Sequence, residues 1–269
     1  MGYLIKDLSK LTGVKGFTIR KWQERYRIFQ PQLAPNGYWY YTPDDFTILS
    51  RIVKRIEQGE KISSIVALGR EKLLSLKDDS GYTEEEKKLI RLIQENQFTE
   101  IGNLLEKYFS ESTRFSNFIY NHIERIAILV GRAWKDGLIS VADEYSFSRW
   151  MIGYLRQKCN QFEISGNKPI WLVAVFPGDT HELGALMHYA ILLSKKIPAR
   201  FVGNLPVEHL IKELNRGHYR ALSVSLTLAP PMGKIEKFKN TILSKTRVKK
   251  VFFGGRGYKL AKYGIAREK

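Results

Sequence analysis

The chain has 269 residues, with 44 Lys and Arg against 27 Asp and Glu, so its net charge is +17. This length predicts two domains or three small ones, and a hydrophobic fraction of 43% is enough to give each a core. No run of about 18 apolar residues occurs, which excludes a transmembrane helix and predicts a protein without a membrane partner. Cys159 is the single cysteine, so no internal disulfide can form, and we expect a small buried side chain in a cytoplasmic protein.

The positive charge is concentrated at the two ends of the chain. Residues 1–78 carry 14 basic and 8 acidic side chains, residues 79–167 carry 11 and 13, and residues 168–269 carry 19 and 6. A basic excess of this size favours a polyanionic partner, and double-stranded DNA is the first candidate. For the last segment, docking of an acidic regulatory protein is the alternative.

Residues 1–76 predict a DNA-binding domain. Apolar spacing predicts a first helix over 4–11 and, after a short Gly-containing turn, a basic second helix over 17–26. This order is typical of a helix-turn-helix, whose second helix enters the major groove. Asn36-Gly37 predicts the hairpin turn of a wing, and residues 42–45 begin a third helix. The alternative is a helical hairpin with a solvated basic face.

Residues 3–75 resemble the MerR-type DNA-binding domain. The resemblance rests on residues 18–26, followed by residues 37–41 and Asp44-Asp45. It implies a set of DNA-contacting side chains on the second helix and the wing, namely Lys15, Thr18, Arg20, Lys21, Arg25, Tyr26, Tyr38 and Tyr40. Trp39 stands where that family usually has Arg, so a phosphate contact from this position is not expected.

Residues 83–162 predict an all-helical segment, a four-helix bundle, between polar linkers at 77–82 and 163–168. Thr83 followed by three glutamates is typical of a helix start, because carboxylates favour the positive end of the helix dipole. Apolar residues then recur at helical spacing as far as Phe162.

Residues 168–269 predict an alternation of strands and helices. The strands are 170–176, 199–202, 221–226 and 250–253, and the helices are 182–196, 207–215 and 233–244. This alternation is typical of a doubly wound, Rossmann-like parallel sheet. The predicted fold class is therefore mixed, with three domains: a winged helix-turn-helix over 1–76, a helical bundle over 83–162 and an α/β domain over 168–269.

Polar and small residues follow the predicted strands of the last segment at their carboxyl ends, where ligands bind in parallel sheets. They are Asp179, His181 and Gly184 after the first strand, Ser223 and Ser225 at the third, and Gly254 and Gly255 at the last. In this order they resemble the cobalamin-binding domain of methionine synthase and corrinoid proteins, over residues 168–260. Ser225 replaces the family's usual Leu.

The cobalamin resemblance implies a role for each of these residues. His181 would ligate the cobalt, with Asp179 bonded to the other ring nitrogen. Ser223 and Ser225 would line the pocket of the dimethylbenzimidazole tail, and Gly254 and Gly255 would leave room for the nucleotide loop. An empty, degenerate site that binds no cofactor is the alternative. The histidines His122 and His188 lie in helical patterns and are interpreted as satisfied side chains rather than ligands.

The middle segment contains a second motif. Trp134, Val141 and Glu144 resemble the Trp, nine residues, Glu-His motif of the light-sensing cobalamin repressors of carotenoid genes. The resemblance implies that these three residues cap the adenosyl group on the upper face of adenosylcobalamin. Tyr145 stands where that family has His, so the same bis-His photoproduct is not expected. Alternatively, Trp134 and Tyr145 are aromatic residues of the bundle core.

The leading hypothesis is a DNA-binding repressor that forms a homo-oligomer, a dimer or tetramer. Its oligomeric state and DNA affinity would be set by adenosylcobalamin, with light as a second input. Two alternatives stay open: a regulator of the same fold that binds no cobalamin and is controlled by a partner protein, and a corrinoid methyl carrier. The sequence has no nucleophile–base arrangement, phosphate-binding Gly loop or Cys-rich metal site, so an enzyme is not expected.

Overall fold

The computed structural model of the chain describes residues 2–35, 37–57, 59–75, 82–162 and 168–264. Asn36 of the predicted hairpin turn and most of both predicted linkers lie outside the described residues. Across the described ranges, no helix combines the length and the apolar character needed to cross a membrane.

The N-terminal region consists of short helices and one antiparallel hairpin. In chain order these elements are α1 (Ile5–Thr12), α2 (Gly16–Tyr26), β1 (Gln32–Leu33), β2 (Trp39–Tyr40), α3 (Pro43–Glu57), α4 (Ile62–Val66) and α5 (Arg70–Ser75). α1 ends at Gly13, whose φ of +73° favours glycine and whose amide donates to the carbonyl of Ser9. The predicted helix-turn-helix is therefore present, with α2 as its second helix.

Asp45 ties this region together. Its carboxylate is fully buried and accepts hydrogen bonds from the amides of Gln30 and Thr42, both at 2.9 Å. Arg70 Nη1 donates to the same carboxylate at 2.6 Å and to the carbonyl of Ile28 at 3.0 Å. A buried carboxylate is tolerated only when it is paired and hydrogen-bonded, so these bonds fix the start of α3 and the segment after α2 against α5.

The middle segment is helical. Its elements are α6 (Glu84–Gln94), α7 (Phe98–Glu111), α8 (Phe115–Phe118), a π-helical turn (Ile119–Ile123), α9 (Glu124–Lys135) and α10 (Val141–Asn160). α6 and α10 each begin with a capping box: Thr83 Oγ1 accepts from the amide of Glu86 at 3.2 Å, and Ser140 Oγ accepts from the amide of Asp143 at 3.1 Å. Cys159 is buried, as the sequence predicts. The arrangement as a four-helix bundle stays a prediction.

The C-terminal segment forms a parallel α/β fold. Its elements are β3 (Trp171–Val175), α11 (Leu183–Ser194), β4 (Ala199–Asn204), α12 (Val207–Arg216), β5 (Ala221–Ser225), α13 (Met232–Lys245), β6 (Lys250–Gly254) and α14 (Arg256–Lys262). The strand order is β4-β3-β5-β6, with every pair parallel. The predicted parallel α/β fold is confirmed. The boundaries differ by up to two residues, and the helix predicted from Glu182 begins at Leu183, so the segment from Asp179 to Glu182 is a loop.

α11 is buried on two sides, which explains its nearly continuous apolar sequence. Ala185 and Leu192 pack with Val173 and Val175 of the sheet. Leu186 and Ala190 belong to the core that the middle helices form. α11 is therefore held between the sheet and the middle helices.

Spatial contacts group the chain into two compact units. The first holds residues 1–79, 227–238 and 256–269, and the second holds residues 80–226 and 239–255. The middle helices and all four strands of the parallel sheet thus belong to one unit. The division into three domains stays a prediction.

Candidate functional site

The helix α2 presents a row of cations on one face. Arg20, Lys21 and Arg25 are exposed, and Lys15 is exposed at the residue that precedes the helix. The opposite face is apolar, because Ile19 and Trp22 are buried, as the spacing predicts. Such a helix can bring cationic side chains to base edges and phosphates in a major groove.

Two aromatic side chains accompany these cations. Lys21 Nζ lies 4.7 Å from the ring centre of Phe17, and the Arg25 guanidinium lies 5.4 Å from that of Tyr26. Phe17 is 69% exposed in the first turn of α2, although sequence reasoning did not select it. An exposed aromatic beside the basic residues of a groove-binding helix is the signal that could have found it, since apolar side chains contact the thymine methyl group.

A groove of about 650 Å³ separates α1, α2 and the hairpin. Lys6 and Arg20 line it from the helices, and Tyr38 and Trp39 line it from the hairpin. Both aromatic residues are exposed, whereas Tyr40 is half-buried. The cations and exposed aromatic groups suit a phosphate backbone that runs beside the groove.

Tyr41 holds the hairpin against α2. Its hydroxyl donates to Gln23 Oε1 at 2.7 Å, and burial, the largest cause, raises the pKa of Tyr41 above its usual value of 10.0. The neutral phenol therefore remains the donor throughout the physiological pH range.

The end of the described chain also lies against α2. Tyr263 packs edge-on against Trp22, with ring centres 5.8 Å apart. A Cβ added to Gly264 would lie 3.1 Å from Thr18 Oγ1, and Thr18 is half-buried rather than exposed. Of the residues predicted on α2 to contact DNA, Thr18 is thus less accessible than Arg20, Lys21 and Arg25.

His181 and Asp179 form a pair in the loop between β3 and α11. Asp179 Oδ1 lies 2.7 Å from His181 Nδ1 and also accepts the backbone amide of His181 at 3.0 Å. Asp179 is buried, whereas His181 is exposed. The carboxylate therefore fixes the ring orientation through Nδ1, and Nε2 is the nitrogen through which the ring would ligate a metal.

Gly184 allows α11 to approach β5 closely. A Cβ at this position would lie 2.8 Å from Ser225 Oγ, closer than side-chain contacts permit. Ser223 and Ser225 are both buried, and two residues apart they share one face of β5. The structure therefore brings together Gly184 and the two serines that the sequence assigns to one pocket.

His188 also belongs to this pocket, although the sequence indicates only a satisfied side chain. Its Nε2 lies 3.0 Å from Ser223 Oγ, so it is indeed hydrogen-bonded. Burial, the largest cause, and the positive charge of Lys195 lower the pKa of His188 below its usual value of 6.5. Trp171 stacks on Phe252, with ring centres 5.0 Å apart. The centre of the Trp171 ring also lies 6.2 Å from that of the His188 ring. Phe252 is the partner of Ser223 across the β5–β6 ladder, and His188 bonds to the same serine, so the stacked rings lie near this hydroxyl.

Glycine is needed at positions 254 and 255 for different reasons. A Cβ at Gly254 would meet no atom within 4 Å, so this glycine leaves space beside Ser225, its partner across the β5–β6 ladder. Gly255 has a φ of +90°, and a Cβ there would lie 2.4 Å from the carbonyl oxygen of Leu226. Backbone packing alone thus accounts for Gly255.

Trp134, Val141 and Glu144 lie around the turn between α9 and α10. Trp134 is 51% exposed, Val141 69% and Tyr145 60%, so none of these three is a core residue. Glu144 Oε1 accepts from Ser148 Oγ at 2.7 Å, and the Tyr145 ring packs beside Arg149 at 5.6 Å. The interpretation of Trp134 and Tyr145 as bundle-core aromatics is therefore wrong.

The residues needed to hold a corrinoid are compatible with this geometry. The oriented His181 ring supplies one axial nitrogen donor, and Gly254 leaves space beside the end of β5. The buried hydroxyls of Ser223 and Ser225 supply polar groups on the wall of the same pocket. The arrangement can thus bind a flat metal macrocycle above the strand ends.

Comparisons with known proteins find relatives in sequence and a similar solved structure. Residues 3–72 match the MerR HTH family regulatory protein model. The chain is 24% identical over 224 residues to the HTH-type transcriptional repressor CarH of Myxococcus xanthus, a match that covers 75% of this chain and 73% of that protein. It is 25% identical over 92 residues to the HTH-type transcriptional regulator MlrA of Salmonella typhimurium strain SL1344, across 34% of this chain and 37% of that protein.

The fold is similar to a solved structure, the Methanosarcina barkeri monomethylamine corrinoid protein. The TM-score is 0.50 at 16% identity, and the match covers 63% of this chain and 83% of that one. The sequence relatives are described as transcription regulators, in line with the prediction of a regulator rather than an enzyme. Residues 3–72 are therefore a MerR-type helix-turn-helix domain, in a chain that is similar to the repressor CarH over three quarters of its length.

Proposed function

We propose that this chain is a DNA-binding repressor whose oligomeric state and DNA affinity are controlled by cobalamin. The observation that carries the proposal is the Asp179–His181 pair, 2.7 Å apart at the carboxyl end of β3 and next to Gly184, which packs against Ser225. An Asp-oriented imidazole at a strand end is the arrangement that an axial cobalt ligand requires.

The α/β fold supplies the lower half of the proposed site. His181 would bind the cobalt through Nε2, while Asp179 keeps the ring in position. Ser223 and Ser225 would face the nucleotide tail, which must share Ser223 with His188. Alkyl cobalamins supply a light-sensitive cobalt–carbon bond, so light is a natural second input.

The turn between α9 and α10 supplies the upper half. Trp134, Val141 and Glu144 are accessible to a ligand and would cover an adenosyl group. Tyr145 is exposed beside them, but a neutral phenol is a weak cobalt ligand. A light response would therefore not proceed through a second imidazole from this chain.

The N-terminal domain reads double-stranded DNA. We propose that α2 enters the major groove and that the β1–β2 hairpin acts as the wing, with Tyr38 and Tyr40 near the backbone. Ligand that favours one homo-oligomer, a dimer or a tetramer, raises the affinity for repeated sites through avidity. The same linkage means that DNA binding favours the ligand-bound assembly.

The first test is retention of corrinoid by the full-length protein. Wild type, His181→Ala and His209→Ala are incubated with adenosylcobalamin in the dark and desalted, and the visible spectrum is recorded. His209 is an exposed histidine of α12 and serves as the matched control. We expect wild type and His209→Ala to retain the corrinoid bands, and His181→Ala to bind at least about 10-fold more weakly.

Equal retention by His181→Ala would show that His181 is not the ligand. A colourless wild type that still binds DNA would favour the second candidate, a cobalamin-independent regulator controlled by a partner protein. The hydrogen bond between His188 and Ser223 favours that candidate, because it engages a hydroxyl that the tail pocket needs. A corrinoid methyl carrier is disfavoured by the helix-turn-helix domain.

A further inference from the structure

The four parallel strands begin side by side and form one edge of the sheet. Trp171 pairs with both Ala199 and Ala221, and Ala221 pairs with Lys250. Since neighbouring strands lie about 4.8 Å apart, the four strand starts span about 14 Å. This edge is opposite to the one that carries His181.

Backbone hydrogen bonds hold the segments that lead into these strands together. The amide of Lys249 donates to the carbonyl of Arg220 at 3.2 Å, and the amide of Arg220 donates to the carbonyl of Ile170 at 2.8 Å. The amide of Ile170 in turn donates to the carbonyl of Pro198 at 3.0 Å. The edge is therefore a connected surface rather than a set of independent loops.

This surface, which we call the amino edge, is strongly cationic. Its nine exposed cationic residues are Lys168, Lys195, Lys196, Arg216, Arg220, Lys245, Arg247, Lys249 and Lys250. The connecting segments 194–199, 216–221 and 245–250 contain no Asp or Glu. In the described ranges, none of the nine forms an ion pair with a carboxylate. The carboxylate of Glu213 is bonded instead to Arg200 and Tyr219, at 2.9 and 2.8 Å.

Helix dipoles account for only part of this charge. α11, α12 and α13 all end at the amino edge, and each helix end carries about −0.5 elementary charge. Three such ends offset roughly 1.5 of the nine positive charges. Lys196 even occupies a left-handed conformation, φ +59°, where glycine is usual. Most of the charge therefore serves neither a dipole nor an ion pair.

The composition of the amino edge favours a polyanion over a protein. Cores of protein interfaces are rich in aromatic and other large apolar side chains and poor in lysine. Among the described residues, none of the exposed large hydrophobic side chains lies in the three connecting segments. Tyr219 and Val248, which those segments do contain, are buried.

We propose that the amino edge binds the phosphate backbone of duplex DNA, as a second and sequence-independent contact beside the helix-turn-helix. The contact rests on the chain being a DNA-binding regulator, but it does not depend on cobalamin. Each phosphate neutralised makes the logarithm of the binding constant fall by about 0.9 for each unit of the logarithm of salt concentration. The amino edge should therefore steepen the salt dependence of DNA binding.

The test measures the DNA affinity of three full-length proteins on a long duplex of unrelated sequence. The salt concentration is varied from about 50 to about 300 mM. One is wild type, and one carries Gln at Lys195, Lys196, Lys249 and Lys250. The control carries Gln at four exposed cations of the middle segment, Lys88, Lys107, Arg114 and Arg125, and loses the same charge. Circular dichroism confirms that each variant is folded.

We expect the amino-edge variant to lose about 2 to 4 units of salt slope, and the control variant to keep the wild-type slope within about one unit. Equal salt slopes of DNA binding for the two variants would overturn the proposal. That result would favour an acidic protein as the partner of the amino edge. Failure of wild type to bind DNA at all would contradict both this contact and the proposed repressor. Loss of the amino-edge contact alone leaves corrinoid retention unchanged.

Discussion

Two buried carboxylates, Asp45 and Asp179, each orient a neighbouring side chain. Asp45 bonds Arg70 at 2.6 Å, and Asp179 bonds His181 at 2.7 Å. The second pair could be found from sequence, because its members are two residues apart. The first pair spans 25 residues, and only the folded chain brings it together. His188 was missed for the same reason, since its partner Ser223 lies 35 residues away.

Substitution of Asp45 should destabilise the N-terminal domain. Asp45→Ala leaves two amides without their acceptor and Arg70 without its buried carboxylate, and removal of one partner of a buried pair costs about 3–5 kcal/mol. Asp44→Ala is the matched control, because its side chain is 64% exposed and lies 4.0 Å from Arg70. We expect Asp44→Ala to change stability by less than about 0.5 kcal/mol. Thermal unfolding measures both, and equal effects would contradict the assigned role of Asp45.

His188 should make stability depend on pH. Its folded pKa lies below 6.5, because burial disfavours the imidazolium. The unfolded chain therefore binds more protons than the folded one as pH falls through the unfolded pKa, and stability is lost from about pH 6.5 downward. His122 adds in the same direction, since burial also lowers its pKa.

His188→Gln removes one of these two groups. We expect the unfolding midpoint of the variant to fall less steeply than that of wild type between about pH 7.5 and about pH 5.5. This interval spans the ordinary histidine pKa of about 6.5. Identical slopes would show that the imidazole is not held neutral by its surroundings. Urea titrations at a series of pH values make the comparison.

The secondary-structure elements were largely accessible to sequence reasoning wherever a local pattern is strong. Alternation of apolar runs with helical patterns predicted β3 to β6 and α11 to α13 within a few residues. The spacing predicts a helix through Ile119–Ile123 but not its π-helical form, and α14 was not predicted. Exposure of Trp134 and Tyr145 was also beyond sequence, since core and ligand-facing aromatics share the same helical spacing.

The cap of α10 gives a prediction for the element that carries Glu144 and Tyr145. Ser140→Ala removes the acceptor of the Asp143 amide, and loss of an N-cap costs about 1 kcal/mol. Ser146→Ala in the middle of the same helix should be neutral or slightly stabilising, because alanine is the better helix former. Thermal unfolding compares the two variants, and a loss of similar size in both would contradict the capping role.

The charge distribution of the whole molecule separates two tasks. Exposed cations of α2 form the proposed DNA-reading face, while those of the amino edge lie opposite to the proposed corrinoid site. The net charge of +13 over residues 168–269, 19 basic against 6 acidic, therefore need not serve the cofactor. Composition revealed this excess, but the edge that it occupies follows only from the strand order.

Among the cations of α2, Arg20 should contribute most to DNA binding, because it is exposed and also lines the groove beside the hairpin. We expect Arg20→Gln to weaken binding by about 1–3 kcal/mol if it reads a base. Lys10→Gln, an equal loss of charge in α1, is the control. Fluorescence anisotropy with a duplex selected from a random pool measures both, and equal affinities would contradict the assignment of α2 as the reading helix.

The central claim is that cobalamin and DNA are coupled through this chain. The most direct measurement is the affinity of full-length protein for the selected duplex, in the dark, with and without saturating adenosylcobalamin. The account predicts a change of about 10-fold or more, in the range of typical coupling between sites, accompanied by a change in oligomeric state. A protein that retains the corrinoid but binds DNA with the same affinity in both conditions would contradict it.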